Sequence, residues 1–157
     1  MSTPGTPGTN GPFISDDTRA LAAYIASATA QAAPGDVLEK ARHHLLDTLA
    51  AMVSGSRLRA GVLASAYVQA NAGRGHCNVA GTRIQTSAVD AALANGMMAH
   101  GDETDDSHLG GRFHPGCGIV PCVLAAAQLQ PASGLAVLRA VALGYDIGTR
   151  FNLSLGP

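Results

Sequence analysis

An all-α fold, an antiparallel helical domain, follows from three features of the sequence. Apolar residues recur at helical spacing in one segment after another, Pro/Gly pairs break the chain between those segments, and no βαβ alternation runs through it. No Gly-rich phosphate loop follows a strand-like stretch, which argues against a nucleotide-binding fold. The 157 residues suffice for one domain with a core of its own.

Residues 1–14 are rich in Pro, Gly and Thr and read as a flexible lead-in, with residues 15–157 as the helical domain. Ser15 is placed to cap a first helix to about Ala32, with Asp16 and Asp17 in its first turn and Leu21, Ile25 and Ala28 as the inward stripe. Pro34-Gly35 interrupts, and Leu38, Ala41, Leu45, Leu49 and Met52 then predict one buried face of a helix over 36–53. Gly55-Ser56 ends that helix, and a third runs from Leu58 to Asn71. Gly73 and Gly75 mark a turn, Cys77 to Ala80 reads as extended, and Gly81-Thr82 turns again. Ser87 to Asp90 resembles a capping box opening an Ala-rich helix to about His100. After a polar loop, helices are expected over 119–129, with Pro121 in the first turn, and over 135–153.

Composition limits the function. Hydrophobic residues make up 46% of the chain but aromatics only 4%, so the core is built from small side chains that bury little area each. Charged residues are 13%, against roughly 25% in ordinary soluble domains. A thin core and a sparsely charged surface together predict burial against further chain or a second subunit. The net charge of -1 gives no general attraction to nucleic acid or to an anionic membrane. Lys40 is the only lysine, which argues against Schiff-base chemistry within this chain. Cys77, Cys117 and Cys122 form an odd set without CxxC spacing, pointing to a reducing, cytoplasmic setting, with Cys117 and Cys122 read as small buried hydrophobes. No apolar run reaches the roughly eighteen residues that span a bilayer.

The stretch from His100 to Gly116, HGDETDDSHLGGRFHPG, stands apart. It holds Asp102, Glu103, Asp105 and Asp106 of eleven acids and His100, His108 and His114 of six histidines, between two apolar helices. Acids, imidazoles, a hydroxyl, glycines and Arg112 in one loop predict an active-site loop. His114 is the candidate acid/base, because imidazole exchanges protons near neutrality, and Pro115-Gly116 would fix its orientation. Glu103 and Asp106 would orient that ring or bind a substrate hydroxyl, and Ser107 would donate a hydrogen bond. Arg112 suits a substrate carboxylate, or else neutralises the neighbouring acids; Asp105 and His108 join it as substrate-binding candidates. The plainer reading of His114 is a histidine that bonds to a helix end. The loop lacks HExxH and the alternating calcium-loop pattern, so no metal is assigned to it.

The segment AALANGMMAHGDETDDSHLGGRFHPG resembles the MmgE/PrpD family, and HHLLDTLAAMVSGSR from His43, VAGT from Val79 and SGLAVLRAVALGYDIGTR from Ser133 agree with it. The resemblance covers nearly all of the chain beyond the lead-in. The family includes 2-methylcitrate dehydratase, cis-aconitate decarboxylase and an iminodisuccinate epimerase. It implies an all-helical domain joined in full-length relatives to a smaller α/β lid, a homodimer, small polycarboxylate substrates, and no obligatory metal or organic cofactor. The family's first loop acid falls on Glu103, its paired acids on Asp105 and Asp106, its hydroxyl on Ser107 and its loop histidine on His114. Glu for Asp and Ser for Thr keep the functional groups but change their reach.

The resemblance also implies a second histidine and lysines from later segments. The chain is therefore expected to be the first part of such an enzyme, working with its downstream portion or a companion chain, as a homodimer or split assembly. The leading expectation is a lyase, a dehydratase or decarboxylase, acting on a small di- or tricarboxylate by proton transfer at carbon. An epimerase of a small dicarboxylate uses the same proton steps, and a non-catalytic helical assembly or regulatory module is the alternative outside enzymes.

Overall fold

The computed structural model describes residues 14–28, 31–71 and 73–156; the lead-in expected over residues 1–14 lies outside them except for Ile14. Six helices and one two-stranded hairpin make up the described structure, in the order α1 (Asp16–Ala28), α2 (Gly35–Gly55), α3 (Arg59–Asn71), β1 (Cys77–Asn78), β2 (Gln85–Thr86), α4 (Ala88–Ala99), α5 (Pro115–Leu129) and α6 (Gly134–Ser154). The all-α expectation holds. The chain divides between Ala32 and Ala33 into two compact units, the first containing α1 and the second every later element.

Ser15 caps α1 as expected, its Oγ accepting from the Thr18 amide at 3.2 Å. The expected inward stripe does not form: α1 buries none of its residues, and Leu21 and Ile25 are exposed. Its amphipathic pattern supplies an apolar face, and that face is uncovered within its own unit.

In the second unit, α4 is the central helix and packs against α2, α3 and α5. Ser87 caps it, accepting from the Asp90 amide at 3.2 Å, while its hydroxyl meets the Asp90 carboxylate at 2.6 Å. Small residues set the helix spacing. A Cβ at Gly55 of α2 would lie 1.8 Å from the Met98 carbonyl oxygen of α4, so the two backbones touch there. This close approach explains a correction to α2. Its buried residues are Ala41, Thr48, Ala51, Met52 and Gly55, whereas Leu49, expected inside, is exposed and Leu38 and Leu45 are half-buried. Leucines on the contact face would hold the helices too far apart. Met52, Val68, Met98, Val120 and Val141 fill the core around the small residues.

The hairpin pairs Cys77 with Thr86 and Asn78 with Gln85, antiparallel. Buried Asn95 of α4 ties it down, its Oδ1 accepting from the Ala80 amide at 2.8 Å and its Nδ2 donating to the Asn78 carbonyl at 3.0 Å. One polar side chain thus satisfies two backbone groups that the short ladder leaves over.

Helix α5 begins at Pro115, four residues before the expected start, with His114 at the N-cap. Proline fits this first helical position because its φ is already helical and its missing N–H would have had no partner there. Pro121 consequently lies inside the helix, not in its first turn. The Cys117 carbonyl, which Pro121 cannot serve, faces α4 at Gly96, where a Cβ would come within 2.8 Å of it. Among the described residues, no helix is long and apolar enough to cross a membrane.

Gly55→Ala is expected to force α2 and α4 apart and cost about 2–3 kcal/mol or more. Urea unfolding of the variant against the parent checks this; an unchanged midpoint would show that the helices can separate freely.

Candidate active site

Two adjacent carboxylates organise the loop between α4 and α5, and they serve opposite sides. Asp105 belongs to a histidine pair and Asp106 to the helix framework.

The Asp105 side chain is fully buried. His100, at the C-cap of α4, places Nδ1 at 3.2 and 3.3 Å from its two oxygens. His114 brings its own Nδ1 to 3.3 Å from Oδ1, an ion-pair distance, but off the line of a hydrogen bond, and that buried nitrogen has no hydrogen-bond partner. The two imidazole centroids are 4.8 Å apart at 60°. His114 occupies the N-cap without making a capping bond, so it does not serve as the helix-end ligand of the plainer reading. About a third of its side chain is open to solvent.

Cys117 sits in the first turn of α5 and its Sγ donates to the His114 carbonyl at 3.1 Å. Burial first, and then the negative charge and hydrogen bond of Asp105, push its thiol up to about 11, so it is protonated at neutral pH. It is half-buried, whereas Cys77 is buried and Cys122, expected inside, is exposed on α5. Among the described residues, His100, Asp105 and Cys117 are the group able to offer a metal three ligand atoms, all within 4.8 Å of one another. A tetrahedral site needs four ligands, and the His100 and Asp105 atoms already bond to each other.

Asp106 reaches the other way. Its Oδ1 accepts from the Gly116 amide of α5 at 2.9 Å; its Oδ2 accepts from Tyr145 of α6 at 2.6 Å and lies 3.0 Å from Nδ1 of His44 on α2. Tyr145 packs on His44 with ring centroids 4.4 Å apart. Burial, followed by the bond to Asp106, holds the Tyr145 hydroxyl far above its ordinary range, so it remains a donor. Gly116 has no room for a side chain: a Cβ would meet Asp106 Oδ1 and Thr48 Oγ1 at 2.6 Å and the Tyr145 hydroxyl at 2.8 Å. Asp106 thus caps α5 and ties the loop to α2 and α6. With its two oxygens so engaged, it stands as a framework group and not as the orienting partner of His114 expected for it.

The remaining candidates are less gathered. Glu103 is exposed on a backbone with φ of 53°, and Arg112 is exposed with φ of 52°. No ion pair joins Arg112 to the loop acids among the described residues. Ser107 is exposed. His108 accepts from the Gly111 amide at 2.9 Å through Nδ1 and bridges to Phe113, so its ring shapes the 108–113 turn. Asp102 accepts from Thr104 at 2.8 Å and Ser54 at 3.0 Å, which hold its carboxyl below the usual range.

The family model of the MmgE/PrpD N-terminal domain matches residues 19–157. The chain belongs to the MmgE/PrpD family. Its relatives include the cis-aconitate decarboxylase-like protein oryM of Aspergillus oryzae, 30% identical over 129 residues, which cover 78% of this chain and 27% of the relative. The cis-aconitate decarboxylase of Aspergillus terreus is 30% identical over 130 residues, 78% of this chain and 26% of that protein. The chain spans about a quarter of the length of these curated relatives.

His44, Thr48 and Tyr145 were given no role by the sequence. His44 and Tyr145 lie in HHLLD and GYD, both within segments that carry the family resemblance, but nothing in their spacing joins them to Asp106.

Tyr145→Phe removes a hydrogen bond to a charged acceptor and is expected to cost about 1.5–3 kcal/mol, read as a lowered denaturant midpoint. At neutral pH iodoacetamide is expected to modify Cys122 well before Cys117, with Cys117 labelling rising only as the pH approaches about 11. Peptide mass spectrometry of the alkylated protein decides it, and equal rates at pH 7 would contradict the protonated thiol.

Proposed function

We propose that this segment forms one wall of a lyase active site acting on a small di- or tricarboxylate, with His114 carrying a proton to or from carbon. The observation that carries the reading is the placement of His114: Nδ1 faces the buried charge of Asp105 at 3.3 Å while a third of the side chain reaches solvent. A carboxylate at Nδ1 stabilises the imidazolium that forms when the ring takes a proton, and leaves Nε2 for substrate. The arrangement needs no metal or organic cofactor for that step.

Decarboxylation is the more specific form, supported by the similarity to the cis-aconitate decarboxylase of Aspergillus terreus. Carbon dioxide leaves, its bonding electrons stay on carbon, and His114 delivers the proton. In dehydration the same ring removes the carbon-bound proton before hydroxide departs. Glu103, Ser107 and Arg112, exposed on the loop, are the groups open to contact substrate carboxylates and hydroxyls, with His108 shaping the turn between them. The rest of the site comes from the downstream part of the same protein or from a companion chain, in a cytoplasmic homodimer or split assembly. The apolar surface supports this: Val53, Val62, Leu63 and Val89 are more than half exposed, and an apolar trough of about 710 Å³ runs between α4 and α5.

The test is turnover of a polycarboxylate panel by the complete assembly. His114→Ala is expected to lower kcat by about 100- to 10,000-fold. Undiminished turnover would remove His114 from the chemistry, and partner binding without turnover by the parent assembly would favour a helical assembly module.

A further inference from the structure

We propose that His100 is a positioning residue for His114, acting through the buried carboxylate of Asp105. The proposal rests on the reading of His114 as the proton carrier.

Asp105 has no exposed side-chain surface, so only protein groups can hold its charge and set its plane. His100 does both. Its Nδ1 sits between the two oxygens, at 3.2 and 3.3 Å, while His114 lies 3.3 Å from Oδ1 alone and without hydrogen-bond alignment. The bond from His100 therefore fixes which way Oδ1 points. An anionic Oδ1 facing Nδ1 of His114 favours the tautomer with its proton on that nitrogen, and leaves the Nε2 lone pair free.

His100 closes α4, His114 opens α5, and Asp105 lies on the short path between them. The titratable groups facing His100 are Asp105, His114 and the neutral thiol of Cys117 on α5. Asp102 turns instead to Ser54 and Thr104, and Asp106 to His44 and Tyr145. No other described acid competes for the His100 ring among the ion pairs.

Without the His100 donor, Asp105 is left buried between the misaligned His114 and the Cys117 thiol, with no imidazole bond to set the plane of its carboxylate. It then rotates, and His114 loses the negative charge that orients it. His100 need not touch substrate for this loss to occur.

Two variants separate the roles. His100→Leu keeps bulk but no donor, whereas His100→Asn keeps a side-chain N–H near the position of Nδ1. In the complete assembly, His100→Leu is expected to lower kcat by about 100-fold, change KM by less than about 3-fold, and move the limb of the kcat/KM pH profile that follows His114. His100→Asn is expected to recover at least about 10-fold of the lost kcat. A raised KM with unchanged kcat, or an Asn variant no better than Leu, overturns the proposal.

Long-range proton–nitrogen NMR reads the same arrangement without turnover. Neutral His114 is expected to carry its proton on Nδ1 in the parent protein, and a proton on Nε2 there overturns the proposal even if the Leu variant does not fold. If the parent turns over no polycarboxylate, the lyase reading fails by itself, and the His114 tautomer still decides whether His100 and Asp105 position it.

Discussion

The Asp106 carboxylate is the point on which the rest of the described site depends. A loop of polar residues between two apolar helices has little burial of its own to hold it, because its side chains favour water. Asp106 supplies the constraint by accepting from the Gly116 amide and the Tyr145 hydroxyl while lying against His44, so one side chain ties the loop to three helices. A partly buried carboxylate is costly without donors, and here the donors are parts of the framework itself. The arrangement is local in another sense. With Asp106 turned inward, its neighbour Asp105 is directed to the histidine pair, so the fold fixes the site by fixing the adjacent residue.

The helix spacing follows from the same economy of size. Alanine and glycine occupy the contacts of α2, α4 and α5, and they bring backbones to touching distance at Gly55 and at Gly96. Close backbones exclude water but bury modest apolar area, so a few larger residues, Met52, Met98, Val120 and Val141, fill the space that remains. The pairing of a glycine with the carbonyl freed by Pro121 shows how such a core accepts a proline in mid-helix. Where no side chain intervenes, an unserved carbonyl can lie against a neighbouring helix with little distortion.

The helix order, the Ser15 and Ser87 caps and the identity of the polar loop were all legible from the sequence, because periodicity, capping residues and composition are local signals. The α5 start was not, since Pro115-Gly116 reads equally as loop exit and as helix entry. Leu49 and the α1 stripe were misplaced because periodicity identifies an apolar face without saying what covers it. Within the loop, composition named Asp105, Asp106 and His114 but could not divide the two acids between a framework and an imidazole pair. That division depends on Thr48, Tyr145 and His44, which are distant in sequence and meet the loop only through packing.

The side-by-side acids also set where this loop can change length. Asp105 and Asp106 turn to opposite sides of the loop, so an insertion or deletion between His100 and Asp106 would disturb both arrangements together. Beyond Ser107 the turn closes on itself through the His108 and Phe113 bridge, and its tip at Leu109 is almost wholly exposed. A change of length at the tip thus alters the shape presented to a substrate while leaving the spacing from helix end to paired acids as it is.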